Sequence, residues 1–191
     1  MSVEAASLQR AVDMLRPYAP VVFDLDGTLV RLEVDWQEAR ASLAQVTHRF
    51  GKAPEDRTIW EMLRAATGEE GAALDRALRR FEMEGSKRAR RLPMGDVLPH
   101  LSKGELGVVT LNCHACAAEA LRATGLTPYI GAIVAREDTD RVKPDPEPLL
   151  LCVERLGGRP GQAVFVGDRE RDRETAEAAG TAFLAVSDLL G

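Results

Sequence analysis

Short apolar runs recur along the chain and alternate, in its second half, with amphipathic stretches. Each run is rich in β-branched or aromatic residues and almost continuously apolar, as strands covered on both faces should be. The runs that predict strands are VVFDLD (21–26), LGVVTL (106–111), YIGAIVA (129–135), AVFVGD (163–168) and AFLAV (182–186). Helical patterns, each closed by glycine, are CHACAAEALRATG (113–125), EPLLLCVERLGG (147–158) and RDRETAEAAG (171–180). This alternation predicts an α/β fold with a Rossmann-like, mostly parallel sheet, because helical crossovers join parallel strands.

A long stretch between the first and second predicted strands has no strand signal. Its helical patterns are DWQEARASLAQVTHRFG (35–51), EDRTIWEMLRAATG (55–68) and EEGAALDRALRRFEMEG (69–85), and the first places Trp36, Ala39, Leu43, Val46 and Phe50 on one stripe. We therefore expect an inserted helical domain, the helical insertion (31–94), in a core of residues 1–30 and 95–191. The basic run KRARR (87–91) and Pro93 would return the chain to the core. An additional helix within 1–19 is expected to pack on the core surface.

Composition narrows the class of protein. The chain has 191 residues and a formal net charge of −5, which argues against nucleic acid as the main partner, including at the KRARR run. No apolar stretch is long enough for a membrane span. Glu4, Arg10 and Asp13 interrupt the region where a signal peptide needs an apolar core, so we expect a cytoplasmic protein. With three cysteines we expect no disulfide framework, and CHAC (113–116) is interpreted as small, partly buried helix residues rather than a redox or metal motif.

Two aspartates end the first predicted strand. Asp24 and Asp26 are separated only by Leu25, and side chains two apart on a strand point the same way. Two neighbouring carboxylates raise each other's pKa unless a positive charge lies between them. The stretch therefore predicts a bound cation, a positively charged neighbour or a reaction.

Polar residues also follow the other predicted strands. They are Thr110 and Asn112 after the second, Lys143 in the loop after the third, and Asp168 and Asp172 after the fourth. In an open parallel sheet, ligands bind at the carboxyl ends of the strands. The sequence therefore predicts one site that contains all of these side chains.

These motifs resemble those of the haloacid dehalogenase-like (HAD) hydrolase superfamily, and the layout resembles its phosphoglycolate phosphatase group, which has a helical cap. The likeness covers nearly the whole chain from Pro20. The motifs that carry it are DLDGT (24–28), VVT ending at Thr110, Lys143 with Pro144, and GDRERD (167–172) with the trailing AAG (178–180).

The resemblance implies a role for each residue of the predicted site. Asp24 would be the nucleophile and Asp26 the general acid and base, while Thr110 would bind the phosphoryl group and Lys143 would neutralise charge. Asp168 would bind Mg²⁺, and Asp172 would support the metal waters and the lysine. The chemistry agrees, since Mg²⁺ prefers oxygen ligands such as Asp24, the backbone carbonyl of Asp26, and Asp168. Gly27 would allow a tight turn that brings backbone N–H groups close to the phosphate.

Two positions depart from the family pattern. Leu111 separates Thr110 from the next polar residue, Asn112, which is either a substrate contact or the N-cap of the following helix. Arg169 stands where the family usually has a small hydroxyl residue. Its side chain is interpreted as part of a solvated face, and the competing interpretation is contact with an anionic substrate.

The expected function is Mg²⁺-dependent hydrolysis of a small phosphorylated metabolite. Dehalogenation needs neither an acid at Asp26 nor a metal at Asp168, so both residues argue against it. The motifs are also compatible with a phosphomutase and with a non-catalytic protein that binds a phosphorylated ligand. Phosphoglycolate is the group's default substrate, although no residue demands it, and the insertion offers only general basic character through Arg40, Arg57 and Arg64. No role is assigned to the histidines, and nothing in the sequence indicates the oligomeric state.

Overall fold

A parallel sheet forms the centre of the molecule. The computed structural model describes residues 3–53, 57–102 and 105–191. Its strands are β1 (Val21–Phe23), β2 (Val30–Arg31), β3 (Arg90–Arg91), β4 (Leu106–Val109), β5 (Ala132–Val134), β6 (Val164–Gly167) and β7 (Ala182–Ala185). Five of them form a sheet in the order β5-β4-β1-β6-β7, with every neighbouring pair parallel. The predicted α/β fold is confirmed, and β1 lies in the middle of the sheet.

Helices follow the strands much as the periodicity predicts. They are α1 (Val3–Leu15), α2 (Trp36–Arg49), α3 (Ile59–Ala65), α4 (Gly68–Ser86), α5 (His114–Ala123), α6 (Glu147–Arg155), α7 (Glu170–Ala179) and α8 (Val186–Leu190). Gly180 ends α7 in the left-handed conformation, with φ of 68°. The first residues of the pattern at 55–68 lie outside the described residues, and α3 begins after Thr58. None of the helices in the described ranges is long and apolar enough to cross a membrane.

The strands are shorter than the apolar runs that predict them. β1 ends at Phe23, so both aspartates lie in the loop that follows it. The predicted strand at 129–135 begins only at Ala132, because Thr127–Tyr129 forms a turn of 3₁₀ helix. Buried loop residues such as Leu25, which is fully buried, lengthen the apolar pattern beyond the hydrogen-bonded strand.

The N-terminal helix belongs to the main core. Ala11, Val12 and Leu15 of α1 are buried in the same apolar cluster as Phe23 of β1, and α1 also contacts α8. The predicted helix is present, and it packs on the core through an apolar face that belongs to the central cluster.

The helices α2, α3 and α4 have an apolar cluster of their own. Its buried members are Ala39, Leu43, Val46, Ile59, Met62, Leu74 and Leu78. The prediction that Phe50 lies on the same buried stripe is wrong. Helix α2 ends at Arg49, and Phe50 is 42% exposed. Beyond the end of a helix the periodicity of 3.6 residues no longer determines which way a side chain points.

A two-stranded ribbon lies at the ends of the helical insertion. β2 pairs antiparallel with β3, with Val30 opposite Arg91 and Arg31 opposite Arg90. The expectation of a stretch without strands between β1 and β4 is therefore wrong. Strands of two residues are too short to show an alternating pattern, and both residues of β3 are exposed arginines.

Candidate active site

The loop after β1 holds Asp24 and Asp26 in different surroundings. Asp24 is buried, and its backbone N–H donates to the carbonyl of Val166 on β6 at 2.8 Å. The carboxylate of Asp26 is half-buried and accepts a hydrogen bond from the backbone N–H of Leu32 at 2.8 Å. Asp24 is therefore fixed against the sheet, whereas the side chain of Asp26 is held by the start of the helical insertion.

Gly27 makes the turn after these aspartates with φ of 96°. A Cβ at this position would lie 2.5 Å from Oδ2 of Asp168, so the turn needs a residue without a side chain. The N–H of Gly27 donates to the carbonyl of Val30 at 2.8 Å. In this structure Gly27 therefore provides space and the turn, while its own N–H is used within the loop.

Lys143 joins two of the predicted acidic residues. Its Nζ lies 2.6 Å from Oδ1 of Asp24 and 2.7 Å from Oδ1 of Asp172, and the residue is only 4% exposed. Burial by itself lowers the pKa of Lys143, but the two carboxylates outweigh it and raise the pKa above its usual value. The ammonium is therefore charged and stands at the centre of the site.

Asp172 supports this lysine from the first turn of α7. While Oδ1 accepts from Lys143, Oδ2 accepts from the backbone N–H of Arg169 at 3.1 Å. A Cβ on Gly167 would lie 2.5 Å from the Cβ of Asp172, so this approach requires glycine. Both carboxylate oxygens of Asp172 therefore have protein partners.

The pKa values of the two aspartates after β1 are both raised. Burial raises the pKa of Asp24 to about 7, and the negative charges of Asp172 and Asp168 add to this, while Lys143 opposes it. Burial also raises the pKa of Asp26, partly offset by its hydrogen bond from Leu32. Carboxyl groups with a raised pKa at a cavity are typical of sites that transfer protons or bind cations.

Three carboxylates are close enough to hold a metal ion. Among the described residues, Asp24, Asp168 and Asp172 each offer an oxygen, and these oxygens lie within 4.8 Å of one another. An all-oxygen donor set suits Mg²⁺. The side chain of Asp26 is not in this group, and a contribution of its backbone carbonyl stays a prediction. Since Asp172 already binds Lys143 and Arg169, Asp24 and Asp168 are the better candidates for direct ligands.

Thr110 and Asn112 form a buried pair at the end of β4. The hydroxyl of Thr110 donates to Oδ1 of Asn112 at 3.0 Å, and the backbone N–H of Asn112 donates to Oγ1 of Thr110 at 3.1 Å. The N-cap of α5 is Cys113, whose Sγ accepts from the N–H of Cys116 at 3.4 Å. The interpretation of Asn112 as the N-cap is therefore wrong.

A cavity of about 430 Å³ lies over these residues and is lined by both the core and the helical insertion. Asp24, Asp26, Thr110, Asn112 and Lys143 line it from the core. Trp36, Arg40, Arg57 and Trp60 line it from the insertion, with the two indole rings 6.5 Å apart between centroids. Arg64 is not among its lining residues.

The side chain of Arg169 is mostly solvated, as its sequence context predicts. It is 67% exposed, and its Nε lies 3.1 Å from Oδ2 of Asp168. It also lines the edge of the cavity. The position therefore combines a solvated side chain with a direct contact to one of the candidate metal ligands.

Sequence reasoning missed a buried ion pair beside the cavity. Glu82 of α4 is fully buried, and Nη1 of Arg136, in the loop after β5, donates to its two oxygens at 2.7 and 2.8 Å. Glu82 lies four residues after Leu78, which itself lies four after Leu74, so it occupies the apolar face of the helix. An acidic residue on that face is the signal that could have found it.

The cysteines in CHAC behave as core residues. Cys113 and Cys116 are both fully buried. Burial raises the pKa of the Cys113 thiol to about 11, and the carboxylate of Glu82 contributes to the shift. A thiol with a raised pKa is unreactive at neutral pH, which agrees with the interpretation of small buried helix residues.

Comparison with known proteins assigns the family. A model of the family described as haloacid dehalogenase-like hydrolase matches residues 21–186. The chain therefore belongs to the haloacid dehalogenase-like hydrolases, and the family resemblance of its motifs is confirmed.

Curated relatives share part of the chain. It is 40% identical over 77 residues to pyrophosphatase PpaX of Bacillus pumilus (strain SAFR-032), covering 40% of this chain and 36% of that protein. It is also 40% identical over 75 residues to phosphoglycolate phosphatase of Escherichia coli (strain K12), covering 39% and 30% respectively. The matched part thus spans about a third of the length of these relatives.

Solved structures share the fold over most of the chain. A HAD-superfamily hydrolase of subfamily IA, variant 1, from Geobacter sulfurreducens PCA has a TM-score of 0.57 at 28% identity, with 86% of this chain and 87% of that chain covered. CbbY from Rhodobacter sphaeroides, solved in complex with phosphate, has a TM-score of 0.60 at 19% identity, with 88% and 85% covered. The second likeness concerns the fold alone.

Proposed function

We propose that the protein is a Mg²⁺-dependent phosphatase that hydrolyses a small phosphorylated metabolite through an aspartyl phosphate on Asp24. The observation that carries the proposal is the buried Lys143 ammonium, held between Asp24 and Asp172 at the base of a cavity. A carboxylate attacks an anionic phosphate only when positive charge screens the approach. Lys143 supplies such a charge next to the proposed nucleophile.

Hydrolysis takes place in two displacements. An oxygen of Asp24 bonds to phosphorus while the bond from phosphorus to the alcohol oxygen breaks, which leaves a phosphoryl group on Asp24. A water molecule then attacks phosphorus, releasing inorganic phosphate and restoring the carboxylate. Asp24, Asp168 and the backbone carbonyl of Asp26 would hold Mg²⁺, which would supply further neutralisation of phosphoryl charge. Lys143 and Asp172 keep the Asp24 carboxylate in position throughout.

Asp26 handles the protons of both steps. In its protonated form it gives a proton to the departing alcohol oxygen, and as a carboxylate it then accepts a proton from the attacking water. The direction of its pKa shift supports this role, because burial makes Asp26 hold a proton more readily than an exposed aspartate does. The hydrogen bond from the backbone N–H of Leu32 holds the side chain of Asp26 in place.

The insertion acts as a cap that selects the leaving group. Its residues Trp36, Arg40, Arg57 and Trp60 line the cavity above the aspartates, and a volume of about 430 Å³ suits a small metabolite. Relatives named as pyrophosphatase and phosphoglycolate phosphatase support a phosphorylated substrate. The substrate proposed is therefore a phosphoglycolate-like phosphomonoester.

Release of phosphate from an aryl phosphate tests the proposal. We expect the native protein to release phosphate with Mg²⁺ and to lose the activity with a chelator. Asp24→Asn should lower kcat by at least about a thousandfold, since it removes the nucleophile. The circular dichroism spectrum of the variant should match that of the native protein. Full activity in Asp24→Asn, or equal native activity with chelator, would contradict the proposal.

A further inference from the structure

Glu82 connects the helical insertion directly to the proposed phosphate-binding residues. Its Oε1 accepts from Nδ2 of Asn112 at 3.1 Å, and its Oε2 accepts from the backbone N–H of Cys113 at 3.4 Å. Arg136 balances its charge from the loop after β5 and also donates to Asp75 of α4 at 2.9 Å. The carboxylate of Glu82, which belongs to the insertion, is thus buried against Asn112, the core residue that lines the cavity next to Thr110.

The carboxylate fixes which way the Asn112 amide points. An ionised carboxylate only accepts hydrogen bonds, so the amide nitrogen must face Glu82. The amide oxygen then faces the hydroxyl of Thr110, from which it accepts at 3.0 Å. All three side chains are buried, and hydrogen bonds in such surroundings strengthen one another. The orientation of Asn112 and Thr110 is therefore coupled to the placement of α4.

We infer that Glu82 is a positioning residue through which the helical insertion orients Asn112 toward the phosphoryl group, an inference that rests on the proposed phosphatase function. An amide nitrogen carries two N–H groups, and Glu82 takes one of them. Holding one N–H fixes the plane of the amide and therefore the direction of the other N–H. Asn112 lines the cavity where the phosphate would lie. Without the acceptor at Glu82 the amide can rotate by half a turn and present its oxygen, which repels a phosphate.

A merely structural role for Glu82 makes a different prediction. Asp75 and Glu82 both bind Arg136, so this cluster would attach α4 to the core whether or not Asn112 were involved. In that case any variant that removes the ion pair would have the same effect on phosphate binding. The two roles are separated by variants that lack the ion pair equally and differ in whether residue 82 offers an oxygen acceptor; adding Asn112→Ala then isolates the part that acts through Asn112 from the part that acts through the N–H of Cys113.

Two double variants provide this comparison. Both replace Arg136 by methionine; one carries Glu82→Gln, which keeps an oxygen that can accept from Asn112, and the other carries Glu82→Met, which does not. Inhibition by inorganic phosphate is measured with saturating Mg²⁺, together with kcat and KM for an aryl phosphate. We expect the inhibition constant for phosphate to be about five- to tenfold higher in the protein with Glu82→Met than in the protein with Glu82→Gln. A ratio of this size corresponds to the free energy of one hydrogen bond. The difference should disappear when Asn112→Ala is added to both.

Equal inhibition constants in the two double variants would overturn the inference, and so would a difference that persists with Asn112→Ala. The native protein offers a test that does not depend on variant folding. In ¹H–¹⁵N spectra, phosphate should shift the ¹H resonance of one side-chain N–H of Asn112 more than that of the N–H bound to Glu82, while the ¹⁵N shift that they share moves both signals together; no shift in either would overturn the inference. A native protein that neither hydrolyses the aryl phosphate nor binds phosphate would overturn the proposed function as well, whereas an active native protein with equal variants would overturn the inference alone.

Discussion

At the scale of single residues, the site depends on one buried ammonium between two carboxylates. A buried charge without a partner costs several kcal/mol, and removing one member of a buried pair is strongly destabilising. Lys143 has two such partners, Asp24 and Asp172, and a ring contact with Phe165 at 5.4 Å from its centroid. Lys143 therefore opposes the effect of burial on Asp24, whose pKa nevertheless stays above its ordinary value.

The raised pKa of Asp24 predicts a dependence of stability on pH. Burial first, and then the neighbouring carboxylates, raises this pKa from 3.8 to about 7. Between those values the folded metal-free protein holds a proton that the unfolded chain has lost, so this residue's contribution to stability falls as the pH rises through that window. Asp24→Asn removes this titration, and in chelator we expect its free energy of unfolding to increase relative to the native protein from about pH 4 to about pH 7.

Urea unfolding of the two proteins at a series of pH values measures this difference. Titrating groups away from Asp24 are common to both proteins and cancel in the comparison, whereas its neighbours Lys143, Asp168 and Asp172 are coupled to it. A difference that stays constant across the window would contradict the raised pKa.

Asp168 is expected to control the metal requirement. Its side chain is partly buried, it belongs to the group of three carboxylates, and the tight turn at Gly27 leaves room for it. Asp168→Asn should raise the Mg²⁺ concentration for half-maximal activity by at least about tenfold, because an amide is a weaker ligand than a carboxylate. Glu170→Gln removes a charge two residues away outside that group and should leave the titration within about twofold. Identical titrations for both variants would exclude Asp168 as a ligand.

At the scale of elements, the insertion is held together by its own apolar cluster. Leu43 of α2 is fully buried there, whereas Gln45 of the same helix is exposed. Leu43→Ala should lower the free energy of unfolding by about 2–5 kcal/mol, and Gln45→Ala should change it by less than about 0.5 kcal/mol. Chemical unfolding of both variants measures this, and equal stabilities would show that the cluster is not packed as described.

Elements with a clear period were predictable from the sequence, whereas the ribbon was not. Burial on both faces gives β4 and β6 their continuous apolar runs, and burial on one face gives α2 and α4 their stripes. β2 and β3 have two residues each, too few for any period. Phe50 shows the same limit at a helix end, where the backbone rather than the periodicity decides exposure.

Residues in local motifs were predictable, whereas contacts between distant segments were not. Asp24 and Asp26 are recognisable because both lie in one short stretch at a strand end. Glu82 and Arg136 are 54 positions apart, and neither lies in a motif. Their contact follows from how α4 packs on the core, which composition and periodicity do not determine. The same packing, through Glu82, decides how the amide of Asn112 is oriented.

At the scale of the whole molecule, four strand ends and one insertion meet at a single cavity. β1, β4 and β6 are neighbours in the sheet, so the residues that follow them converge at one edge. The loop after β5 adds Lys143 to this edge and Arg136 beside it, and the insertion covers it with Trp36 and Trp60. We propose that this convergence makes Asp24 the nucleophile and Asp26 its acid and base.

Pre-steady-state release of p-nitrophenol from p-nitrophenyl phosphate by Asp26→Asn tests both roles in one experiment. This activated leaving group needs little protonation, so phosphorylation of Asp24 should proceed, while removal of the phosphoryl group lacks its base and slows. We predict a burst that approaches one equivalent of p-nitrophenol per protein chain with Mg²⁺, followed by a slow steady state, and no burst when Asp24→Asn is added. Linear release without a burst from Asp26→Asn, or a burst that survives Asp24→Asn, would contradict the account.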